Sequence, residues 1–394
     1  MTSVPKADPV RLARAYLVRV AEPPAPRLVE LVEQEGPIRA AELVRRGAVT
    51  GDGVRETAAR RHLDLASQDV AAAGAVGARL IIPEDEDWPG WQLLALRLAG
   101  SRGIQGMAEP LALWVRGAAA LSEVVDRSVS VVGARSASGY GEQVAGEFGY
   151  GLAARQVTVV SGAAYGIDGS AHRGALGAGG LTVAVLGSGI DVGYPAGHAG
   201  LLRAIAEQGL VISEHPPGTP PARHRFLVRN RLIAALGAGA VVVEAGRRSG
   251  AHNTASTARV LGRTVMAVPG PVTSAMSVGC HQLLRSGEAI AVTTVDEVVE
   301  TIGRVGADLA PRQRSPARAT DGLDRVALQV HEALSTRAEH SDEWTAVQSG
   351  VPLERVRALL CELELLGLAQ RGESGWRRAA GPSARTSPGR CGGS

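Results

Sequence analysis

The feature that most constrains the fold of this chain is a regular alternation, starting near residue 106, of short β-branched runs with longer segments of helical pattern. The runs are continuously apolar, as is typical of strands buried on both faces of a parallel sheet. The predicted strands are Val129–Val132, Val157–Val160, Thr182–Leu186, Leu210–Ser213, Ala240–Val243, Thr264–Val268 and Ala289–Thr293. The predicted helices are Gly141–Arg155, Ile167–Leu176, His198–Gln208, Arg229–Leu236, Ala251–Leu261 and Gly279–Arg285. The alternation predicts a doubly wound α/β domain over residues 106–303, with a mostly parallel sheet between two layers of helices.

Segments of different character flank the predicted sheet. Residues 1–105 have helical spacing interrupted by short glycine turns, which predicts a small N-terminal helical domain of the helix-hairpin type. Residues 304–321 lack periodicity and are rich in Pro, Arg and Ala, as expected of a linker. Residues 322–378 return to helical pattern and end in a glycine-containing hairpin, which predicts a winged-helix-like domain. The basic, Gly/Ser/Pro-rich residues 379–394 are predicted to be a disordered tail.

Cysteine content and hydropathy bear on the compartment and on metal binding. The chain has 3 cysteines, far apart and without a CxxC pair, so neither a disulfide framework nor a thiolate zinc site is expected. No uncharged apolar run reaches the length that spans a bilayer. We therefore expect a cytoplasmic protein with no membrane partner, no metal and no cofactor.

Glycine and small polar residues follow most of the predicted strands. Examples are Gly133–Gly141, Ser161–Asp168, Gly187–Pro195 and Glu244–Gly250. Glycine lets backbone N–H groups approach an anion, and in an open α/β sheet these loops share the carboxyl edge where ligands bind. Several arginines accompany the loops: Arg135, Arg229, Arg231, Arg247 and Arg248. Together they predict an anion-binding surface, although each loop alone is compatible with an ordinary tight turn.

The segment from Phe226 to Arg231 places an aromatic ring and two guanidinium groups within six residues, directly after Arg223 and Arg225. Such a combination suits single-stranded nucleic acid, because bases stack on the ring for about 1–3 kcal/mol each while arginines neutralise phosphates. Taken alone, the six residues fit a solvated helix face with one buried phenylalanine equally well. The surrounding loops favour nucleic-acid binding.

Common catalytic and nucleotide signatures are absent from the sequence. A Walker loop is excluded because Lys6 is the only lysine, and no GxGxxG follows the first strand of the core. HExxH and GxSxG motifs are also missing. His172 is a candidate base, but it is more simply a framework hydrogen-bonding residue, and Asp168 is expected to cap the helix it opens. The sequence offers no nucleophile–base pair, so we do not expect an enzyme.

Taken together, eight motifs resemble the DNA-processing protein A (DprA/Smf) family over roughly residues 128–295. In order they are Val131-Val132-Gly133-Ala134-Arg135, Ser161-Gly162 with Gly166-Ile167-Asp168, Ala171-His172, Gly187-x-Gly189 with Tyr194-Pro195, Ile212-Ser213-Glu214, Phe226-x-x-Arg229-Asn230-Arg231, Val243-Glu244-Ala245 with Ser249-Gly250, and Val268-Pro269-Gly270. The flanking segments match the domain layout of the family less specifically.

The resemblance implies a Rossmann-like core that binds and protects single-stranded DNA during DNA uptake or recombination. It also implies that the protein helps load the RecA recombinase, forms a homodimer through the core and is not an enzyme. A single-strand-binding protein is a further candidate partner.

By the same resemblance, nine residues form the DNA site. Arg135 clamps a phosphate, Ser161 and Gly162 contact the DNA backbone, and Arg223 is the basic residue before the aromatic. The remaining roles are Phe226 as stacking platform, Arg229 and Arg231 as flanking or bracing groups, and Ser249 and Gly250 as the far wall. The chain departs from the family at Leu227, where many relatives have proline, and at the polar segment after Gly250, where His252 is either a pH-sensitive contact or incidental.

Two other functions compete with this prediction. One is a hydrolase resembling nucleoside-monophosphate phosphoribohydrolases. That class needs a Pro-Gly-Gly-x-Gly-Thr loop followed by a catalytic glutamate, whereas this chain has only Pro217-Gly218-Thr219 and places Glu214 and Glu244 elsewhere. The other is a winged-helix regulator with a ligand-sensing core, which predicts a preference for a specific duplex.

Overall fold

The structure, a computed structural model, describes residues 8–303, 308–310 and 319–379. These residues form two compact units, one with the described residues up to 310 and one with residues 319–379. Most of the predicted linker and nearly all of the predicted tail lie outside the described residues.

The strands of the first unit form one nine-stranded sheet. They are β1 (Ala78–Ile81), β2 (Leu113–Arg116), β3 (Ser128–Val132), β4 (Thr158–Ser161), β5 (Thr182–Leu186), β6 (Leu210–Ser213), β7 (Gly239–Val242), β8 (Thr264–Ala267) and β9 (Ile290–Ala291). Their spatial order is β1-β2-β6-β5-β4-β3-β7-β8-β9. The strands from β6 to β9 in this order are parallel, while β1 and β2 pair antiparallel at one edge.

The helices of the first unit are α1 (Pro9–Val20), α2 (Pro26–Glu35), α3 (Pro37–Arg46), α4 (Gly53–Thr57), α5 (Ala66–Ala75), α6 (Gly90–Ser101), α7 (Leu121–Val124), α8 (Gly139–Ala154), α9 (Ile167–Gly177), α10 (Ala199–Gln208), α11 (Arg223–Leu236), α12 (Ala251–Val260), α13 (Val278–Arg285) and α14 (Val295–Ile302). A short 3-10 turn covers Ala196–His198. Across the described ranges, no helix has both the length and the apolar character needed to cross a bilayer.

Alternate residues of the central strands face two separate hydrophobic cores, because successive side chains of a strand point to opposite faces. Val132 of β3 packs in a core with Leu236 of α11 and Ala255 of α12. Val131 packs in the other core, with Phe148 of α8 and Ala171 of α9. Helices therefore cover both faces of a mostly parallel sheet, and the predicted fold class is confirmed.

The sheet extends into the segment that the sequence predicts to be wholly helical. β1 lies within residues 1–105 and pairs with β2, and α6 packs against α11. In β1, Arg79 interrupts the apolar pattern, whereas β2 continues an apolar run from Leu111 that the predicted strands do not include. The predicted boundary at residue 105 therefore does not separate two compact units.

The second unit contains three helices and a hairpin. They are α15 (Arg325–Ala333), α16 (Asp342–Ser349), α17 (Leu353–Leu365), β10 (Ala369–Arg371) and β11 (Trp376–Arg378). The two strands pair antiparallel. Val330, Leu360, Leu363 and Trp376 share a separate core, which joins the helices to the hairpin.

Candidate nucleic-acid interface

A cleft at the carboxyl edge of the sheet lies where the direction of winding reverses. From β3 the chain proceeds outward through β4 and β5 to β6, and then returns to β7 on the other side of β3. The loops after β3 and β7 therefore diverge at the carboxyl edge and leave a crevice between them, the usual ligand position in such sheets. The crevice has a volume of about 610 Å³.

Six of the nine predicted site residues line this cleft: Arg135, Arg223, Phe226, Arg229, Ser249 and Gly250. The first comes from the loop after β3, the next three from α11, and the last two from the segment between β7 and α12. Arg247 and Arg248 line the same wall as Ser249. Residues that are up to 115 positions apart in the sequence (135 to 250) thus converge on one opening.

The placement of Phe226 depends on where α11 begins. The sequence predicts this helix from Arg229, but it begins at Arg223, two residues after the end of the Pro-rich loop Pro216–Pro221. Arg223, Phe226, Leu227 and Asn230 then recur at intervals of three and four residues, so they lie on one helical face. That face lines the cleft.

The ring of Phe226 lies between cationic and aromatic neighbours. The Arg135 guanidinium carbon is 5.3 Å from its centroid, and that of Arg229 is 6.0 Å away. Tyr194 stacks on the same ring with centroids 5.2 Å apart and planes 28° from parallel. Phe226 is half-buried, whereas Arg135 is exposed. These contacts fix the orientation of the ring while leaving part of it open to the cleft.

Arg229 is a buried structural cation beneath the cleft. Its Nη1 donates to the carbonyl oxygen of Gly162 at 2.8 Å and also to that of Val185. Burial lowers the pKa of Arg229 to about 10, while the nearby Asp168 opposes that shift, so the guanidinium stays protonated at neutral pH. A side chain at position 162 would collide with this guanidinium, because an added Cβ would lie 2.2 Å from Nη2. Glycine is therefore required at position 162 for packing.

Ser161 and Arg231, both predicted site residues, do not reach the cleft. The Ser161 hydroxyl is buried and donates to the carbonyl oxygen of Val131 at 2.6 Å, which ties β4 to β3. Arg231 is buried and donates to both carboxylate oxygens of Glu214 at 2.6 and 2.8 Å. Gly162 lines a smaller adjoining cavity with Arg135, Phe226 and Arg229. Ser161 and Arg231 are framework residues, because the Ser161 hydroxyl and the Nη2 of Arg231 are bonded to groups inside the core.

His172, considered as a candidate base, and Asp168, expected to cap a helix, are also framework groups. His172 Nδ1 lies 2.7 Å from the Thr182 hydroxyl, and burial lowers the pKa of this imidazole to about 3, so it is neutral. Asp168 accepts the Gly162 N–H at 3.2 Å, and it therefore holds the loop after β4. Burial raises the pKa of Asp168, and the charge of Arg229 opposes that rise. His252 packs against Gly279 and is not among the residues that line the cleft.

One residue that lines the cleft, Asn230, and one that contacts Phe226 from outside the cleft, Tyr194, are absent from the predicted site. Asn230 donates to Asn253 at 3.1 Å and joins α11 to α12 across the floor of the opening. Tyr194 covers one side of Phe226. The helical spacing from Arg223 would have identified Asn230, but no local pattern indicates that Tyr194 approaches Phe226 from a loop 32 residues earlier (194 to 226).

The cleft is positively charged at its rim. Arg135, Arg223, Arg247 and Arg248 are exposed and line it. Within the described ranges, the one carboxylate that lines the cleft is Asp168, which is buried and faces the positive charge of Arg229. Guanidinium groups bind phosphate through paired N–H donors. The arrangement therefore suits an extended anionic ligand with a planar apolar part.

The N-terminal segment holds the first turn of α11 in place. Glu22, which follows α1, accepts from Arg225 Nε at 2.6 Å and from Arg60 Nη1 at 3.0 Å. His224 Nε2 lies 3.2 Å from the same carboxylate. Burial opposes ionisation, but the hydrogen bonds from Arg225 and His224 prevail and lower the pKa of Glu22 to about 2. The carboxylate is thus ionised over the whole physiological range.

Replacing Glu22 with glutamine should lower stability at neutral pH, and the difference from wild type should shrink in acid. Because the pKa of Glu22 falls on folding from 4.5 to about 2, its stabilising contribution is complete above pH 4.5 and is lost toward pH 2. Urea unfolding of wild type and Glu22→Gln at successive pH values measures the difference. A difference that stays constant down to pH 2 would contradict the assignment of this shift to Glu22.

Comparison with known proteins agrees with the motifs and the geometry. A model of the family described as DNA recombination-mediator protein A matches residues 79–303. The chain belongs to this family. A protein of Mycobacterium tuberculosis that bears the name DprA is 50% identical over 370 residues, which cover 94% of this chain and 95% of the relative. Protein Smf of Escherichia coli is 38% identical over 73% of this chain and 74% of its own length.

A solved relative shares the fold. The X-ray structure of DprA from Streptococcus pneumoniae superposes with a TM-score of 0.60 at 28% identity. The match covers 75% of this chain and 98% of that chain. The family model spans the sheet that carries the cleft and begins at β1, in agreement with the inclusion of this strand in the sheet.

Proposed function

We propose that this protein binds single-stranded DNA along the cleft at the carboxyl edge of the sheet and acts in the cytoplasm as a recombination mediator. In this proposal it protects the strand and helps load the RecA recombinase. The observation that carries the proposal is a partly exposed aromatic ring, Phe226, among exposed arginines in an open cleft. Aromatic stacking with phosphate neutralisation is the usual means of binding single strands without sequence preference.

The same geometry favours a single strand over a duplex. Bases in a duplex are stacked on each other and present only their edges in the grooves, so a ring such as Phe226 gains contact only with an unpaired base. The cleft lies between loops, and one side of the first turns of α11 lines it. The helix therefore does not project from the surface as a helix that enters a DNA groove would. In this proposal Arg135 and Arg223, which line the cleft, contact phosphates on either side of a stacked base.

RecA loading, homodimerisation and the role of a single-strand-binding protein rest on membership of the recombination-mediator family. A mediator of this kind has to hold a strand without reacting with it. This is compatible with the cleft, because the one carboxylate that lines it in the described part of the chain, Asp168, faces a buried arginine.

The competing hydrolase hypothesis requires a catalytic glutamate in the cleft, and neither candidate glutamate lies there. Glu214 is buried and bound to Arg231, and Glu244 is buried and accepts from the backbone and hydroxyl of Ser138. Neither glutamate lines the cleft. Release of free base from a nucleoside monophosphate by the purified protein would favour the hydrolase over the binding protein.

We also propose that the second unit is a winged-helix-like module that contacts protein and not duplex DNA. Its longest helix, α17, carries three glutamates and two arginines. One of the two arginines, Arg357, already forms ion pairs with Asp342 and Glu343, each at 3.1 Å. A helix with this charge pattern gains little from a phosphate backbone, because most duplex affinity comes from unpaired cations.

The test is a fluorescence-anisotropy titration of labelled oligo(dT) and of a matching duplex over a range of salt concentrations. We expect the wild type to bind the single strand more tightly than the duplex and to lose affinity as salt rises. Phe226→Ala should weaken single-strand binding by about 5- to 150-fold, the cost of one lost stacking interaction of about 1–3 kcal/mol.

A matched control is Tyr150→Ala, which removes an exposed aromatic ring from α8, at a site that does not line the cleft. Its affinity should equal that of the wild type. Equal or tighter binding of the duplex by the wild type, or equal effects of the two substitutions, would rule out the cleft as the single-strand site.

A further inference from the structure

Beside the cleft lies a small cavity whose mouth carries two tyrosines outside the predicted site. Its walls include Tyr165, Tyr194, Gly187, Phe226, Arg135 and Arg229. Tyr165 is 50% exposed and Tyr194 is 40% exposed. In a chain with only 3% aromatic residues, two open tyrosines beside the one phenylalanine of the cleft form an unusual concentration of rings.

Tyr194 extends the aromatic surface outward from Phe226. The two rings are stacked 5.2 Å apart, and Phe226 is the more buried of the pair. Arg135 and Arg229 also contact Phe226, so much of that ring is covered by protein groups. The outer part of the stack, at Tyr194, is the ring surface that solvent reaches most easily.

Tyr165 is held rigidly at the same mouth. Its hydroxyl oxygen accepts the N–H of Gly197 at 3.3 Å, and its ring meets His198 edge-on with centroids 4.7 Å apart. His198 in turn is buried and lies 3.0 Å from the carbonyl oxygen of Ala163. The segment that carries Tyr194 is therefore tied to the loop that carries Tyr165, which fixes both rings before any ligand arrives.

We propose that Tyr194, flanked by Tyr165, forms a second base-binding subsite that stacks a nucleobase of single-stranded DNA next to the base held at Phe226. The inference rests on the proposed function of the cleft. The cavity itself holds about 30 Å³, roughly the volume of one water molecule, so the base lies on Tyr194 at the mouth and not inside. Arg135, which lines both openings, contacts the phosphate that joins the two bases. Stacking on tyrosine makes the subsite indifferent to base identity.

The first test compares oligo(dT) with an abasic oligomer of equal length, which retains the phosphates and lacks the bases. The ratio of the two affinities reports base stacking alone. Tyr194→Leu should lower this ratio about tenfold, as expected for one lost ring, and should leave the salt dependence unchanged because no phosphate contact is lost. Tyr194→Phe keeps the ring and should retain the wild-type ratio.

A direct test is photo-crosslinking of oligonucleotides that contain 5-iododeoxyuridine, followed by mass spectrometry of the crosslinked peptides. We expect crosslinks at Tyr194 as well as at Phe226 in the full-length wild-type protein. Crosslinks at Phe226 alone, or a ratio that is unchanged in Tyr194→Leu, would overturn the subsite while leaving the proposed function intact. Failure of the wild type to bind oligo(dT) would instead overturn the proposed function.

Discussion

Replacing Arg229 with methionine should lower the free energy of unfolding of the first unit by about 3–5 kcal/mol, the usual cost of removing one partner from a buried ionic network. The guanidinium donates to the carbonyl oxygens of Gly162 and Val185 and compensates the charge of the buried Asp168. Methionine fills similar space but satisfies none of these groups. Urea unfolding followed by circular dichroism measures the change.

Arg223→Met is the matched control, since it changes an exposed arginine in the same helix and lines the same cleft. Its effect on stability should stay within about 0.5 kcal/mol, as for most surface substitutions. If the two variants were equally stable, Arg229 would not be the buried brace described above. Its place in the site would then have to be explained by direct contact with a ligand.

The contrast between these two arginines shows what local sequence could and could not predict about the site. Both stand in one basic cluster and have the same chemistry. Arg229 is buried because its carbonyl partners come from positions 67 and 44 residues earlier, which only the folded sheet brings into reach. Arg231 is similarly removed from the cleft by Glu214. A cluster of guanidinium groups therefore predicts a charged region, while tertiary pairing decides which of them a ligand can reach.

The fold was more predictable than the site because the signals for parallel strands are local. The bounds of β5 and β6 match the prediction, since both are continuous apolar runs bordered by glycine or polar residues. β1 escaped prediction because it is an antiparallel edge strand whose apolar pattern Arg79 interrupts, while β2 was missed although its apolar run from Leu111 to Val115 is a local signal. The start of α11 at Arg223 was also missed, since a basic, polar first turn has no apolar periodicity to mark it.

Removing the exposed arginines of the cleft together should abolish most single-strand affinity. The variant replaces Arg135, Arg223, Arg247 and Arg248 with alanine, all of which line the cleft and are exposed. We expect affinity for oligo(dT) at moderate salt to fall by about a hundredfold to a thousandfold, because each lost phosphate contact costs on the order of 1 kcal/mol. The slope of log affinity against log salt should fall by up to about 2.8, at about 0.7 for each contact with a single strand.

A control with the same change in net charge separates local contact from general attraction. Replacing Arg39, Arg46, Arg55 and Arg102 removes four exposed arginines that do not line the cleft. Loss of long-range attraction alone would weaken both variants equally, since steering depends on the summed field of the protein. Direct phosphate contact predicts a fall in the salt slope only in the cleft variant. If the salt slope of the cleft variant were unchanged, the phosphates would be neutralised by cations elsewhere on the protein. The strand would then not follow the cleft, even if Phe226→Ala had weakened binding.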